Sequence, residues 1–256
     1  MDPITVFLTS AAIFVAAVVH GIAGFGFAHV SMGLLPLFRS AAVASVIFNI
    51  NAVFSNSRVF WSVRKDFVAK DWLLPVSGLA FGMPLGVWVF QGLSETQFRL
   101  AIGAILLLGV AVILLIRKTD LIGEWIGEKG VTPGWKAGFT AGLLAGVLGG
   151  AVAIPGPPMI VYGAFMLANE CWESGRMKAT LTAFFGTLMA YRLAALTFTE
   201  AVTWGLTLEA LLALPALFLG AWVGIRIYRS IPERIFGDIV LIGLTANAIV
   251  LIVSSL

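Results

Sequence analysis

Charge is what this chain has least of. Only 11% of its 256 residues are Asp, Glu, Lys or Arg, where a soluble domain carries about 25%. So few charges cannot cover a water-facing surface, and 60% of the residues are apolar. The class is therefore a polytopic membrane protein. Cysteine is nearly missing as well. The single Cys171 excludes an intramolecular disulfide and any multi-cysteine metal site. Only two histidines occur, His20 and His29, with no mid-span carboxylate beside them, and they make no metal site.

Catalytic signatures are also missing. There is no Walker A lysine loop, no His-Glu-x-x-His, no Gly-x-Ser-x-Gly and no carboxylate pair within an apolar run. ATP hydrolysis and intramembrane catalysis are disfavoured, and no cofactor is expected. The net charge of +3 would suggest polyanion binding in a soluble protein. Here the basic residues sit in short loops beside apolar spans, where they report orientation rather than nucleic-acid binding. Met1 is followed by Asp2 with no basic leader, so the first apolar segment is expected to remain in the mature protein.

What is present is a series of eight apolar blocks, at about 3–38, 41–57, 71–90, 99–116, 137–168, 179–197, 207–225 and 235–254. Six have the length of one membrane span, about 17 to 25 residues. The first and fifth are too long. As straight helices they would measure about 54 and 48 Å against a hydrocarbon core of about 30 Å. Each must break or fold back, and each carries a Gly/Pro cluster: HGIAGFGFAHVSMGLLPLF at 20–38 and GVLGGAVAIPGPPMIVY at 146–162.

Charge asymmetry fixes the crossings. Thirteen of the sixteen Lys and Arg residues fall in four places, at 58–70, 117–136, 176–178 and 226–234. These read as cytoplasmic, whereas the loops at 91–98 and 198–206 have no Lys or Arg and read as external. The fifth block then has cytoplasmic flanks on both sides and must cross an even number of times. It is expected to be a hairpin of two half-length helices. The same construction in the first block places the N-terminus outside, and the C-terminus is expected there too.

A repeat supports this layout. At a fixed offset of 138 residues, GMPLGVWVFQGLSETQF (82–98) lies over GAWVGIRIYRSIPERIF (220–236), matching Gly82 with Gly220, Gly86 with Gly224 and Glu95 with Glu233. The first copy leads into an external loop and the second into a cytoplasmic one, the mark of an inverted repeat. The expected fold is all-α, with two inverted repeats, 1–116 and 137–256, each a broken-helix hairpin plus three transmembrane helices, joined by a cytoplasmic linker at 117–136. Secondary transporters have this architecture, with substrate held near the midplane where broken helices meet.

The turns are the candidate site. Gly24, Phe25 and Gly26 in the first, and Gly149, Gly150, Pro155, Gly156 and Pro157 in the second, interrupt helix at membrane depth. Such backbone survives only when buried in protein or lining a watery cavity. A half-helix starting after a turn points free N–H groups at it, which suits an anion. A kinked hairpin without ligand is the alternative. Arg58 and Arg192 fall opposite each other when 45–58 is laid over 179–192. They either hold an anion or snorkel to the interface. Asn49 and Asn56 share a face of the next helix, and either line a hydrated path or bond between helices. His20 and His29 are candidates for proton coupling. Helix packing alone explains Gly138, Gly142 and Gly146, which recur every four residues.

Taken together, GIAGFGFAHVSMGLLPL at 21–37, GLLAGVLGGAVAIPGPPMIVY at 142–162 and the basic stretch RVFWSVRKDFVAKDW at 58–72 resemble the paired hairpin motifs and basic loop of the sulfite exporter (TauE/SafE) family. The resemblance implies a secondary transporter of the cell inner membrane that moves a small anion, sulfite or an organosulfur acid such as sulfoacetate, outward. With the bottom-up reading it gives a substrate-binding set of Gly24, Phe25, Gly26, His29, Asn49, Asn56, Arg58, Gly149, Gly150, Pro155, Gly156, Pro157 and Arg192. Its partners would be the small anion and the lipid bilayer, with a homodimer left open.

Overall fold

A computed structural model describes residues 2–23, 26–118 and 134–228, with 245, 249 and 253 as single positions. All regular structure among the described residues is helical. The helices are α1 (Pro3–Ala23), α2 (Phe27–Leu34), α3 (Ala41–Val63), α4 (Ala69–Gly92), α5 (Glu95–Lys118), α6 (Trp135–Val152), α7 (Gly156–Ala168), α8 (Ser174–Phe198), α9 (Trp204–Leu212) and α10 (Leu214–Tyr228). Most of the linker, the last apolar block at 235–254 and the placement of the C-terminus lie outside the described residues.

Six stretches among the described residues are long and apolar enough to cross a membrane: α1, α4, α5, α6, α8 and the α9–α10 run. Phe7, Phe81, Trp88 and Phe198 stand exposed on the outside, where water would penalise them and lipid does not. The chain is a multi-pass membrane protein. Helix α3 has 23 residues, yet Asn49, Asn51, Ser55 and Asn56 lower its hydropathy. These side chains are buried, and α3 packs along α8 in the centre of the molecule.

The two hairpins differ from the expected pair of half-length helices. The first arms are long, 21 residues in α1 and 18 in α6, about 31 and 27 Å. The return arms are short: α2 has 8 residues, extended by the 3-10 turn Leu35–Leu37, and α7 has 13. The asymmetry follows from where the breakers sit. Gly26 is left-handed at φ 91°, and Pro155 opens α7, so both breaks fall late in their blocks.

Each hairpin returns to the end at which it began. Thr9 near the start of α1 and Arg39 just past α2 both bond to Glu209. In the second hairpin, Gly138 near the start of α6 lies against Leu74, and Arg176 just past α7 bonds Asp71, both partners in the first turns of α4. The first hairpin's cluster instead includes Glu95, beyond the far end of α4. The 24 residues of α4 separate the two clusters by about 36 Å.

The most extensive helix contacts are α4 with α6 and α1 with α10. They use matching residues. A Cβ at Gly82 would lie 2.1 Å from Leu143 O and one at Gly86 2.4 Å from Val147 O; at Gly220 and Gly224 it would lie 2.5 Å from Phe14 O and 2.3 Å from Val18 O. Exchanging the halves maps one set onto the other, with the 138-residue offset on one side and a constant 129 on the other. The backbones approach too closely for any side chain, so glycine is required at these crossings.

Helix α6 ends on Ala153, a buried alanine at φ 65°. A left-handed alanine costs about 1 kcal/mol that glycine does not. Ala153→Gly is expected to raise the melting temperature in detergent by a few degrees; no gain would mean that added unfolded-state freedom offsets the relief.

Candidate anion site between the two helix breaks

The breaks meet at a small internal cavity. Its lining comes from α1 (His20), the first break and α2 (Gly26, Phe27, Ala28, His29), α3 (Phe48, Ala52, Asn56), the second break and α7 (Pro155, Gly156, Ile160) and α8 (Phe185, Met189). The volume is about 30 Å³, where about 10–15 Å³ suffices for one water. Apolar side chains form most of the wall, and a few polar groups interrupt it.

The two helix starts offer unequal numbers of donors. In α2 the Val30 amide is the first to close back on the Gly26 carbonyl, at 3.0 Å. The amides of Phe27, Ala28 and His29 precede it and have no acceptor within the helix. In α7 the first residues are Gly156, Pro157 and Pro158, and proline has no N–H. Gly156 is left with the one donor of that turn. The start of α2 is therefore donor-rich and that of α7 donor-poor.

His29 is the polar centre of the cavity. It is 2% exposed, and its Nε2 is buried without a partner. Glycines confine the ring on two sides: a Cβ at Gly156 would lie 2.4 Å from Cε1, and one at Gly109 2.9 Å from Nε2. His20 is held differently, its Nδ1 2.6 Å from Ser55 Oγ and its ring 5.7 Å from that of Phe27. Asn56 donates to Ala52 O at 2.8 Å within its own helix.

The other expected residues scatter. Gly24 and Phe25 lie outside the described residues. Gly149 and Gly150 are buried at the end of α6, where Gly150 packs on Gly86 rather than lining the cavity. Pro157 faces an apolar groove between α5, α6 and α7. Asn49 donates to Met189 O at 2.9 Å, joining α3 to α8. Arg58 is exposed near the end of α3 and Arg192 is fully buried, so the two arginines are not brought together.

Arg192 is a core residue. Its Nε donates to Gly150 O at 3.1 Å, and its terminal nitrogens reach Ser45 O, Asn49 Oδ1 and Ser45 Oγ at 3.4 to 3.5 Å. The guanidinium thus caps the carbonyl end of α6, where the helix dipole favours a cation, and ties it to α3. It does not line the cavity.

Sequence reasoning did not single out Gly109, Phe48, Phe185 and Met189, whose apolar side chains or missing side chain carry no signal of a site. It also missed Glu209, 2% exposed and bonded to Thr9 and Arg39. The signal was available, since the 138-residue offset lays Glu209 over Asp71.

Comparison with known proteins finds no curated protein and no solved structure that matches. Comparison with protein families matches residues 9–251 to the family described as Sulfite exporter TauE/SafE. With hairpins, cavity and membrane-crossing helices in place over that same span, the chain belongs to the sulfite exporter TauE/SafE family.

Proposed function

We propose that this protein is a secondary transporter of the cell inner membrane, exporting a small sulfur oxyanion, with sulfite the best fit, by alternating access. One observation carries the reading: buried His29, whose Nε2 has no partner, is part of the lining of a cavity at the start of α2, beside amides that lack helical acceptors. An anion there would accept from the α2 amides, the Gly156 amide and the imidazole. The cavity volume favours sulfite over sulfoacetate, which would need a wider conformation. Arg58 and Arg192 leave the binding set, one exposed and one committed to the core.

An inverted repeat is supported by the hairpins returning to opposite ends of α4 and by the matching glycine contacts. With the basic loops cytoplasmic, the N-terminus is external. His29 is assigned the coupling proton in preference to His20, whose Nδ1 already meets Ser55.

The test is a thermal-shift screen of the purified protein with sulfite, thiosulfate, sulfoacetate, taurine and short carboxylates. Sulfite is expected to stabilise. His29→Leu should weaken that response by about 10- to 100-fold in apparent affinity, the worth of one hydrogen bond to a charge, while His29→Gln keeps part of it. An unchanged sulfite response in His29→Leu would remove the histidine from the site.

A further inference from the structure

Among the described residues, two ion pairs join the halves of the molecule, one at each end. Arg39 binds Glu209, and Arg176 Nε binds Asp71 Oδ2 at 2.5 Å. In the first pair the base comes from the N-terminal half and the acid from the C-terminal half; in the second the origins are reversed. Asp71 and Glu209 are 138 residues apart, the offset of the repeat, and Arg39 and Arg176 both stand at the start of the paired central helices α3 and α8. Each arginine also comes next along the chain after a return arm whose first residues wall the cavity, Arg39 close behind it and Arg176 in the first turn of the following helix.

Around the first pair, other bonds fix the backbone within one half. At the first end, Glu95 Oε1 accepts from the Ala41 amide at 2.7 Å and from Arg99 Nε at 2.8 Å, and Arg99 holds Pro36 O and Arg39 O. All of those groups belong to the N-terminal half, so they fix the Arg39 backbone without crossing over. Crossing bonds there are those of Arg39 and Thr9 to Glu209 and that of Asn51 Nδ2 to Ala210 O at 3.2 Å. Both arginines are partly exposed, with side chains 27% and 36% accessible, so water can replace the carboxylate when a pair parts.

Resting on the transporter reading above, we infer that Arg39–Glu209 and Asp71–Arg176 are the two gates of the access cycle. Parting one pair frees the return arm behind it and opens the cavity to that end, while the other pair keeps the opposite end shut. Both are closed in this structure. Their near-equivalence keeps the two open states close in energy, which a carrier needs to visit both.

The experiment measures from which side the cavity can be reached. In the full chain carrying Cys171→Ser, Ala52→Cys supplies a thiol in the cavity wall, and a membrane-impermeant methanethiosulfonate is applied to right-side-out or inverted vesicles. Glu209→Gln should raise the labelling rate about tenfold from the Arg39 end alone, and Asp71→Asn about tenfold from the Arg176 end alone. The reversed pair Arg39→Glu with Glu209→Arg should return protection, and it decides the matter if Glu209→Gln does not accumulate as folded protein. Labelling raised from both ends, from the wrong end or in neither variant, or a reversed pair left unprotected, would overturn the gates. Sulfite counterflow in the parent chain is scored separately: sided labelling without counterflow sinks the transporter reading and leaves the gates standing.

Discussion

Replacing Gly156 by alanine is expected to abolish sulfite binding and transport while the protein still folds. The added Cβ would lie 2.4 Å from His29 Cε1 and 3.1 Å from Nε2, so the imidazole has to move. It cannot retreat, because Gly109 already marks a wall 2.9 Å from Nε2 by the same measure. The open direction is into the cavity of about 30 Å³ that the anion would occupy. Apparent affinity should fall by about 100-fold or more, equivalent to about 2.7 kcal/mol. Stability should change little, since His29 Nε2 has no bond to lose. Gly109→Ala should act in the same way from the other side. Gly92→Ala is the control: nothing lies within 4 Å of that Cβ, and the sulfite response should match the parent. A normal sulfite thermal shift and normal counterflow in Gly156→Ala would show that the anion does not depend on this ring.

Arg192 gives the second large effect, and the order of its variants is the diagnostic. Arg192→Lys is expected to be less stable than Arg192→Met. A lysine ammonium is a compact charge that cannot bridge Gly150 O and the Ser45–Asn49 stretch as the guanidinium does. It leaves a buried cation poorly paired, at a cost of about 3 to 5 kcal/mol. Methionine leaves acceptors unpaired at about 1 to 3 kcal/mol, yet removes the charge whose place in the membrane costs about 2.5 to 3.5 kcal/mol. The net loss should be smaller, and the folded methionine variant should still respond to sulfite. Melting in detergent with and without sulfite checks both points. If lysine proves the milder change and methionine erases the sulfite response, Arg192 holds the anion after all.

The hairpins were legible because breakers inside an overlong apolar run have few physical outcomes. Non-helical backbone at that depth must be buried, so the Gly/Pro clusters marked the meeting point of two breaks. Their arm lengths were not legible, because the position of a break within a block depends on single residues such as Gly26 and Pro155. His29 was read as a candidate from its type and place, but its confinement by Gly109 depends on a helix far along the chain. For the arginines the sequence left more than one outcome open. An interrupting charge announces that it needs partners, and both an anion and a helix's carbonyl end meet that need.

By itself the sequence determined the membrane class and the two broken apolar blocks, because each rests on composition or spacing that any fold of this chain must respect, and its hairpin motifs carried the family resemblance. The tertiary structure alone decided which residues line the cavity and that Arg39 and Arg176 find acids in the opposite half. Those are matters of distance between residues more than a hundred positions apart, and only the packing of α3 on α8, α4 on α6 and α1 on α10 sets them.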